Sequence, residues 1–466
     1  MKRGYITVFF AIAISLCLSL ILALVYGVRE NAIRLKVKDS ADICIRSTFA
    51  EYQKELWERY NLIFVDAGYG TEATGTILPE EHFKNFMNKN FNENPMVVMG
   101  GKDFLSLECT DVESMEIRYA TDEMGKAIVN QGVNWMKYKY GINDLMYLFE
   151  TSMKVKQDAD NVDVEKKIKD AREEIGGNPP IQMEEWFSAS EDFLMDRKDP
   201  SLFSTLRLVY GDTSFVSDKA YNEDGLIESR NLNKGNIKND KKSDLADKLF
   251  FTEYVLSYCG NFVSELPETA LKYESEYLIM GTEADAKNLE GVTNLLLLFR
   301  TSSNLTELYK DQSTISQIED IAQAIATLCF NPELGEPLAM IIELVWTFNE
   351  SKNDVWLILS GEKVPIAKPP TEWKTTFLNP LSTNHTDDGF EEGWEYKDYL
   401  RMFLYTIGLD KVSERFMNVA EQNVRLSTNN PDFRIDNCFD AWKETAYVKS
   451  DFGYEYMTTR KYDIEE

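Results

Sequence analysis

Five residues between Asn384 and Glu395 have the spacing of a calcium-binding loop. Asn384, Thr386, Asp388, Gly389 and Glu395 fall at loop positions one, three, five, six and twelve. Oxygen side chains at that spacing can wrap a hard cation. The glycine allows the sharp turn, and the last carboxylate closes the shell. Two features weigh against metal: position one is usually Asp, and the preceding segment carries Pro380 and no entering helix. The stretch therefore reads as an acidic, solvated loop, with these residues as its metal candidates. A second turn, Gly68-Tyr69-Gly70, follows the apolar run Leu62 to Val65 and places Ala73 where a dinucleotide fold would have its third glycine. No helix or parallel-sheet unit follows it, so it reads as a buried strand leaving through a turn.

Other chemistry is thin. The chain has no phosphate loop, no Gly-x-Ser-x-Gly and no His-Glu-x-x-His. Its two histidines, His82 and His385, leave little material for zinc. Six cysteines are present and none forms a CxxC pair; Cys259 and Cys329 sit in apolar helical contexts as core residues. Trp57, Trp135, Trp186 and Trp394 read as core or interface residues. With a formal charge of −28, the surface repels nucleic-acid phosphate. The expectation is a protein that is not an enzyme, holds no cofactor and binds no nucleic acid.

What must position the rest is an N-terminal anchor. Tyr5 to Gly27 carries no charge, and a helix of that length spans roughly 30 Å, the thickness of a bilayer core. A cleaved signal would have a shorter apolar region ending at a small-residue site; Gly27-Val28-Arg29-Glu30 offers none, so the helix is expected to stay. Lys2 and Arg3 precede it, and Arg29, Arg34, Lys36 and Lys38 come after it. A count of positive residues alone puts the C-terminal side in the cytoplasm. Beyond the span, Ile33, Val37, Ala41, Cys44, Thr48, Tyr52, Leu56 and Tyr60 keep three- and four-residue spacing, one stripe of a helix. No Pro or Gly interrupts Val28 to Tyr60, which predicts one continuous helix about 80 Å long from anchor to stalk end.

The body reads as α+β and mostly helical. A strand is expected near 62–66 and two short ones within 104–119, then helix from Thr121 to about Met153. Further helices are expected at 244–258, 282–299 with Thr282 as N-cap, 313–330, 337–359, 396–407 and 410–426. The run Leu338 to Trp346 is apolar nearly all round, which makes it a central buried helix. Residues 441–463 alternate around Ser450-Asp451-Phe452-Gly453 as a hairpin, expected to share a sheet with the earlier strands.

The stretches Lys2-Arg3-Gly4, Ile6-Thr7-Val8-Phe9 and Lys38-Asp39-Ser40-Ala41-Asp42 resemble the N-terminus of pseudopilin-like (TadE/TadG-like) proteins of tight-adherence, Flp-type pilus systems. Phe49-Ala50-Glu51-Tyr52, Glu58 to Asp66, Leu271 to Tyr277, Gly361 to Pro365 and Tyr396 to Arg401 are similar to an uncharacterised Gram-positive family of membrane-anchored proteins associated with such pili. The resemblance implies an N-terminus inside and a body outside the membrane, opposite to the charge count. It also implies a processing point at Gly4 and Tyr5, although the Glu that many pilins carry five residues on is here Phe9. The expected organisation is a cytoplasmic tail (1–4), a transmembrane helix (5–27), an amphipathic stalk (28–60) and an α+β region (61–221). Next come a linker or long loop (222–242) and a helical block (243–366). The last part, 367–466, holds a loop, two helices and the hairpin. The implied role is an extracytoplasmic accessory protein of pilus assembly. Its partners would be pilin-like or pilus-assembly membrane proteins, met through the stripe Ile33, Val37, Ala41, Cys44 and Thr48. The alternative is an anchored enzyme or ligand-binding domain acting on cell-wall or surface material.

Overall fold

A computed structural model describes residues 2–92, 105–161, 166, 169, 204–222, 225–238, 243–328, 331–378 and 389–464. The protein is α+β and predominantly helical, and it divides into two units. The first comprises Met1–Gln131, Leu232–Lys241 and Thr428–Glu466; the second comprises Gly132–Asn231 and Lys242–Ser427.

The first unit opens with α1 (Lys2–Phe49), whose first half is exposed and whose second half is striped with buried residues. The continuous helix expected to reach Tyr60 breaks at Ala50 to Gln53 and resumes as α2 (Lys54–Tyr60). The break has a tertiary cause. The Gln53 amide donates to the Phe64 carbonyl at 2.7 Å, a bond that a helical Gln53 could not make. Asn61, left-handed at φ 53°, then ends α2 and turns the chain into β1 (Val65–Asp66).

α3 (Ile77–Asn92), β2 (Leu107–Tyr119), β3 (Cys438–Ser450) and β4 (Glu455–Asp463) complete the layer, and α4 (Asp122–Lys137) comes after β2 in sequence. All pairing is antiparallel. β3 is central, with β2 along one side and β1 then β4 along the other. The two short strands expected in 104–119 are one strand; its register shifts beside Thr110 and Met115, which blurs the two-residue alternation. The hairpin forms as expected, with Lys449 opposite Glu455. Side chains of α1 and α3 cover one face: Ile33, Ala41, Phe49, Phe83 and Met87 pack with Val112, Trp442 and Val448.

Arg118 locks the sheet across three strands. Its guanidinium donates to both oxygens of Asp440 at 2.8 and 2.9 Å, and to Asp463 at 2.7 Å. All three side chains are buried, so this fork-to-carboxylate match satisfies charges that would otherwise be costly.

The second unit is a helical assembly: α5 (Ile142–Asp160), α6 (Ser204–Tyr210), α7 (Leu245–Tyr258), α8 (Glu274–Met280), α9 (Asp285–Lys310), α10 (Gln312–Leu328), α11 (Gly335–Leu359), α12 (Tyr396–Thr406) and α13 (Leu409–Thr428). The helix expected through 121–153 is two helices, α4 and α5, separated by Tyr138 to Gly141. Asp244 caps α7 through a reciprocal box with Asp247. Thr282 is not the cap of α9, which starts three residues later; its hydroxyl instead bonds Asn288 at 2.7 Å. α11 is the buried central helix its composition predicts, with Ile341 and Trp346 set against Leu308, Ile318 and Trp373.

Candidate functional site

Among the described residues, α1 is the one helix long and apolar enough to cross a membrane. Its residues Tyr5 to Val28 have almost no neighbours in the protein: Phe9 is 68% exposed and Leu24 62%. An apolar run this long and this bare has the length and composition of a single-pass membrane anchor or a signal sequence. Gly4 and Tyr5 lie in its first turns, with Tyr5 exposed.

Beyond the span the stripe is occupied. Ile33, Val37, Ala41, Cys44 and Thr48 are all buried, and what buries them is this chain's own sheet and α3. The expectation that they meet a partner's helix is corrected here: they are core residues, each large one worth about 1.5–3 kcal/mol of burial. Thr48 fits the interior because its hydroxyl donates to the Cys44 carbonyl at 3.1 Å. The Cys44 thiol accepts from Asn90, and burial pushes it up to about 12, as it does Cys109. Neither is a thiolate at neutral pH.

β4 climbs the outside of this helix. Arg29 lies over the ring of Phe452, 3.6 Å from its centre, at the turn that begins the strand. Higher up, Arg460 pairs with Asp42 and donates to the Lys38 carbonyl at 3.3 Å. At the top the rings of Tyr462 and Phe49 are 4.6 Å apart. The face left outward carries Leu35 and Ile43, 62% and 52% exposed.

One group in this interface is out of keeping. Glu444 projects from β3 into the apolar layer, fully buried, and neither carboxyl oxygen has a hydrogen-bond partner. Burial pushes its pKa up to about 8, with Arg460 pulling the other way, so it is neutral below that pH.

The other sequence candidates have structural employment. In the Gly68-Tyr69-Gly70 turn, Asp66 accepts the amides of Gly68 and Gly70, each at 2.9 Å. Those are the donors a phosphate would need. A Cβ on Gly68 would lie 2.8 Å from two carbonyl oxygens, which explains the glycine. Of the calcium candidates, Asn384, Thr386 and Asp388 lie outside the described residues. Glu395 caps α12 in a box with Asp398 and pairs with Lys363 at 3.3 Å. Cys329 and His385 also lie outside the described residues.

The second unit holds a charge cluster that sequence reading missed. Arg300 on α9, Glu350 and Asp354 on α11 and Lys368 are all fully buried. Asp354 accepts from Arg300 at 2.8 Å and from Lys368 at 2.5 Å; Glu350 accepts from Lys368 and from Thr375. Burial would raise Asp354, but Arg300 and Lys368 outweigh it and hold its pKa below the usual range. Part of the signal was present: Glu350 and Asp354 are one turn apart on a largely buried helix, and Arg300 ends the run Leu295 to Phe299. Two acids and two bases with satisfied partners pin the segment 365–375 onto the helices and leave no free nucleophile.

A cavity of about 460 Å³ opens beside Tyr396, lined by Leu256, Ser257, Asn261, Val263, Glu395 and Lys397, among others. Tyr396 donates to the buried Glu276 at 2.7 Å, and burial raises Glu276 to about 7. The lining includes one carboxylate and one aromatic ring, short of the convergent acids and aromatics a sugar-hydrolysing cleft would need.

Residues 188–450, more than half of the chain, match a family of unknown function, DUF5702. The chain belongs to that family. The DUF5702 match takes in α6 to α13 and ends with β3, so α1, α3, β2 and β4 lie outside it. No curated protein and no solved structure matches the chain.

Proposed function

We propose that this DUF5702 protein is a membrane-anchored, extracytoplasmic accessory component of a tight-adherence pilus assembly system, acting by protein contacts. The observation that carries the anchored part is α1: a bare apolar span continuing without a break into a helix built into the folded unit. A signal sequence due for removal has no need of that second half. The pilus assignment rests on the resemblance of Lys2 to Phe9 and Lys38 to Asp42 to pseudopilin-like proteins. With Ile33, Val37 and Ala41 used internally, the face that remains for a partner helix is the outer one, marked by Leu35 and Ile43.

The test is co-purification from membranes of cells assembling such pili. A Leu35→Asp, Ile43→Asp variant that folds and inserts should lose pilin-like and platform proteins that the unaltered chain retains. Recovery of the same partners by the variant would count against the outer face, and their absence from both preparations would count against the pilus role. Protease cleavage of the body on intact, wall-stripped cells checks the side of the membrane; protection there would place the body inside.

A further inference from the structure

We infer that the tip of the β3–β4 hairpin, Asp451 to Gly453, is a membrane-seating surface that inserts Phe452 into the lipid headgroup layer beside α1. The inference rests on α1 spanning the bilayer and adds where the folded unit meets it.

Height along α1 carries it. The exposed apolar run ends at Val28, and Arg29 and Glu30 are the first charges after it, so Arg29 marks the exit from hydrocarbon. Phe452 lies against that same Arg29, 3.6 Å from guanidinium to ring centre. The tip of the hairpin is therefore level with the end of the span. The other contacts give the direction. From Arg29 to Phe49 the helix rises roughly 30 Å. From Phe452 to Tyr462 a strand rises about 33 Å. Since both ends of the two segments touch, β4 runs nearly along α1. An upright α1 thus stands the strands on end, with the turn facing the bilayer.

Composition fits that seat. Phe452 is 44% exposed at a turn where polar residues are the rule, and Tyr26 on α1 is 54% exposed at the same level. Aromatic rings of this kind favour the boundary between hydrocarbon and headgroups. The arginine over the ring suits a place with lipid phosphate near and water at hand. The attraction is aromatic insertion, not charge, which a chain of net charge −28 could not rely on. The occupant is the glycerophospholipid interface, whatever its headgroup charge.

The experiment places the photoreactive residue p-benzoylphenylalanine singly at positions 452, 14 and 115 of the full chain in phosphatidylcholine vesicles, with lipid adducts read by mass spectrometry. Ile14 lies inside the span, and Met115 is an exposed apolar residue on β2 well above the tip. Adducts at 14 and 452, and none at 115, are expected. Adducts at 14 without any at 452 would overturn the seat and leave the anchor standing. Adducts at 115 equal to those at 452 would overturn the upright arrangement, and none at 14 would overturn the anchor itself.

Discussion

The ring of Phe49, the last residue of α1, packs against the ring of Tyr462 near the end of the final strand, with centroids 4.6 Å apart. The end of α1 thus closes on the last strand of the sheet. Past its exposed apolar run, α1 is a core element with a strand along it, not a free stalk.

Removing that closure should be costly. Phe49 is almost fully buried among Phe439, Tyr462 and the sheet, so Phe49→Ala is expected to destabilise by about 3 kcal/mol. Leu35→Ala, on the outward face of the same helix, should stay within about 0.5 kcal/mol. Denaturant midpoints of the full chain in detergent separate the two; equal effects would mean that the two faces are alike.

Arg118 offers a second lever. Arg118→Ala removes the guanidinium that the buried Asp440 and Asp463 carboxylates share, which is expected to cost about 3–5 kcal/mol. Arg118→Lys should recover only part of this, because an ammonium cannot hold both carboxylates in the planar fork. The same denaturant measurement checks both variants, and a neutral Arg118→Ala would contradict the reading of this cluster.

Glu444 predicts a pH dependence of definite sign. Its pKa is near 8 in the folded protein against 4.5 ordinarily, so the folded state holds the extra proton between those values. Its contribution is fully present below about 4.5, falls as pH rises, and is lost once pH passes 8. Glu444→Gln should therefore gain on the unaltered chain as pH rises from 4 to 9. Subtracting the two stability curves isolates this residue from Glu276, which titrates in a similar range. A flat difference would refute the assignment.

The thiols should be silent. Cys44, Cys109, Cys259 and Cys438 are buried, and Cys17 is exposed on the span. On a Cys329→Ser background, a membrane-permeant maleimide should label none of the other five in the membrane-inserted native protein, Cys17 because hydrocarbon disfavours the reactive thiolate, and should label them only after unfolding in denaturing detergent. Peptide mapping of the adducts decides it; prompt labelling of Cys44 would mean that α1 does not stay on the sheet.

Much of this was legible in residue patterns. Alternation marked the sheet and the Ser450 to Gly453 turn, and the nearly all-apolar run Leu338 to Trp346 marked α11. The stripe on α1 was legible as well, but periodicity says only that a face is covered and never by what. The break at Ala50 was not legible, because no Pro or Gly makes it: the carbonyl of Phe64, beyond the turn that ends α2, captures the Gln53 amide. Thr282 was misleading for a related reason, since Asn288 competes for its hydroxyl. The Arg300, Asp354 and Lys368 cluster needed the fold to bring distant charges together.

Amide hydrogen exchange on the full chain in lipid nanodiscs tests the central claim most directly. If the second half of α1 is a core element, amides of residues 33–48 exchange as slowly as those of β3. Fast exchange in 33–48, with β3 still protected, would show a free stalk and contradict the account.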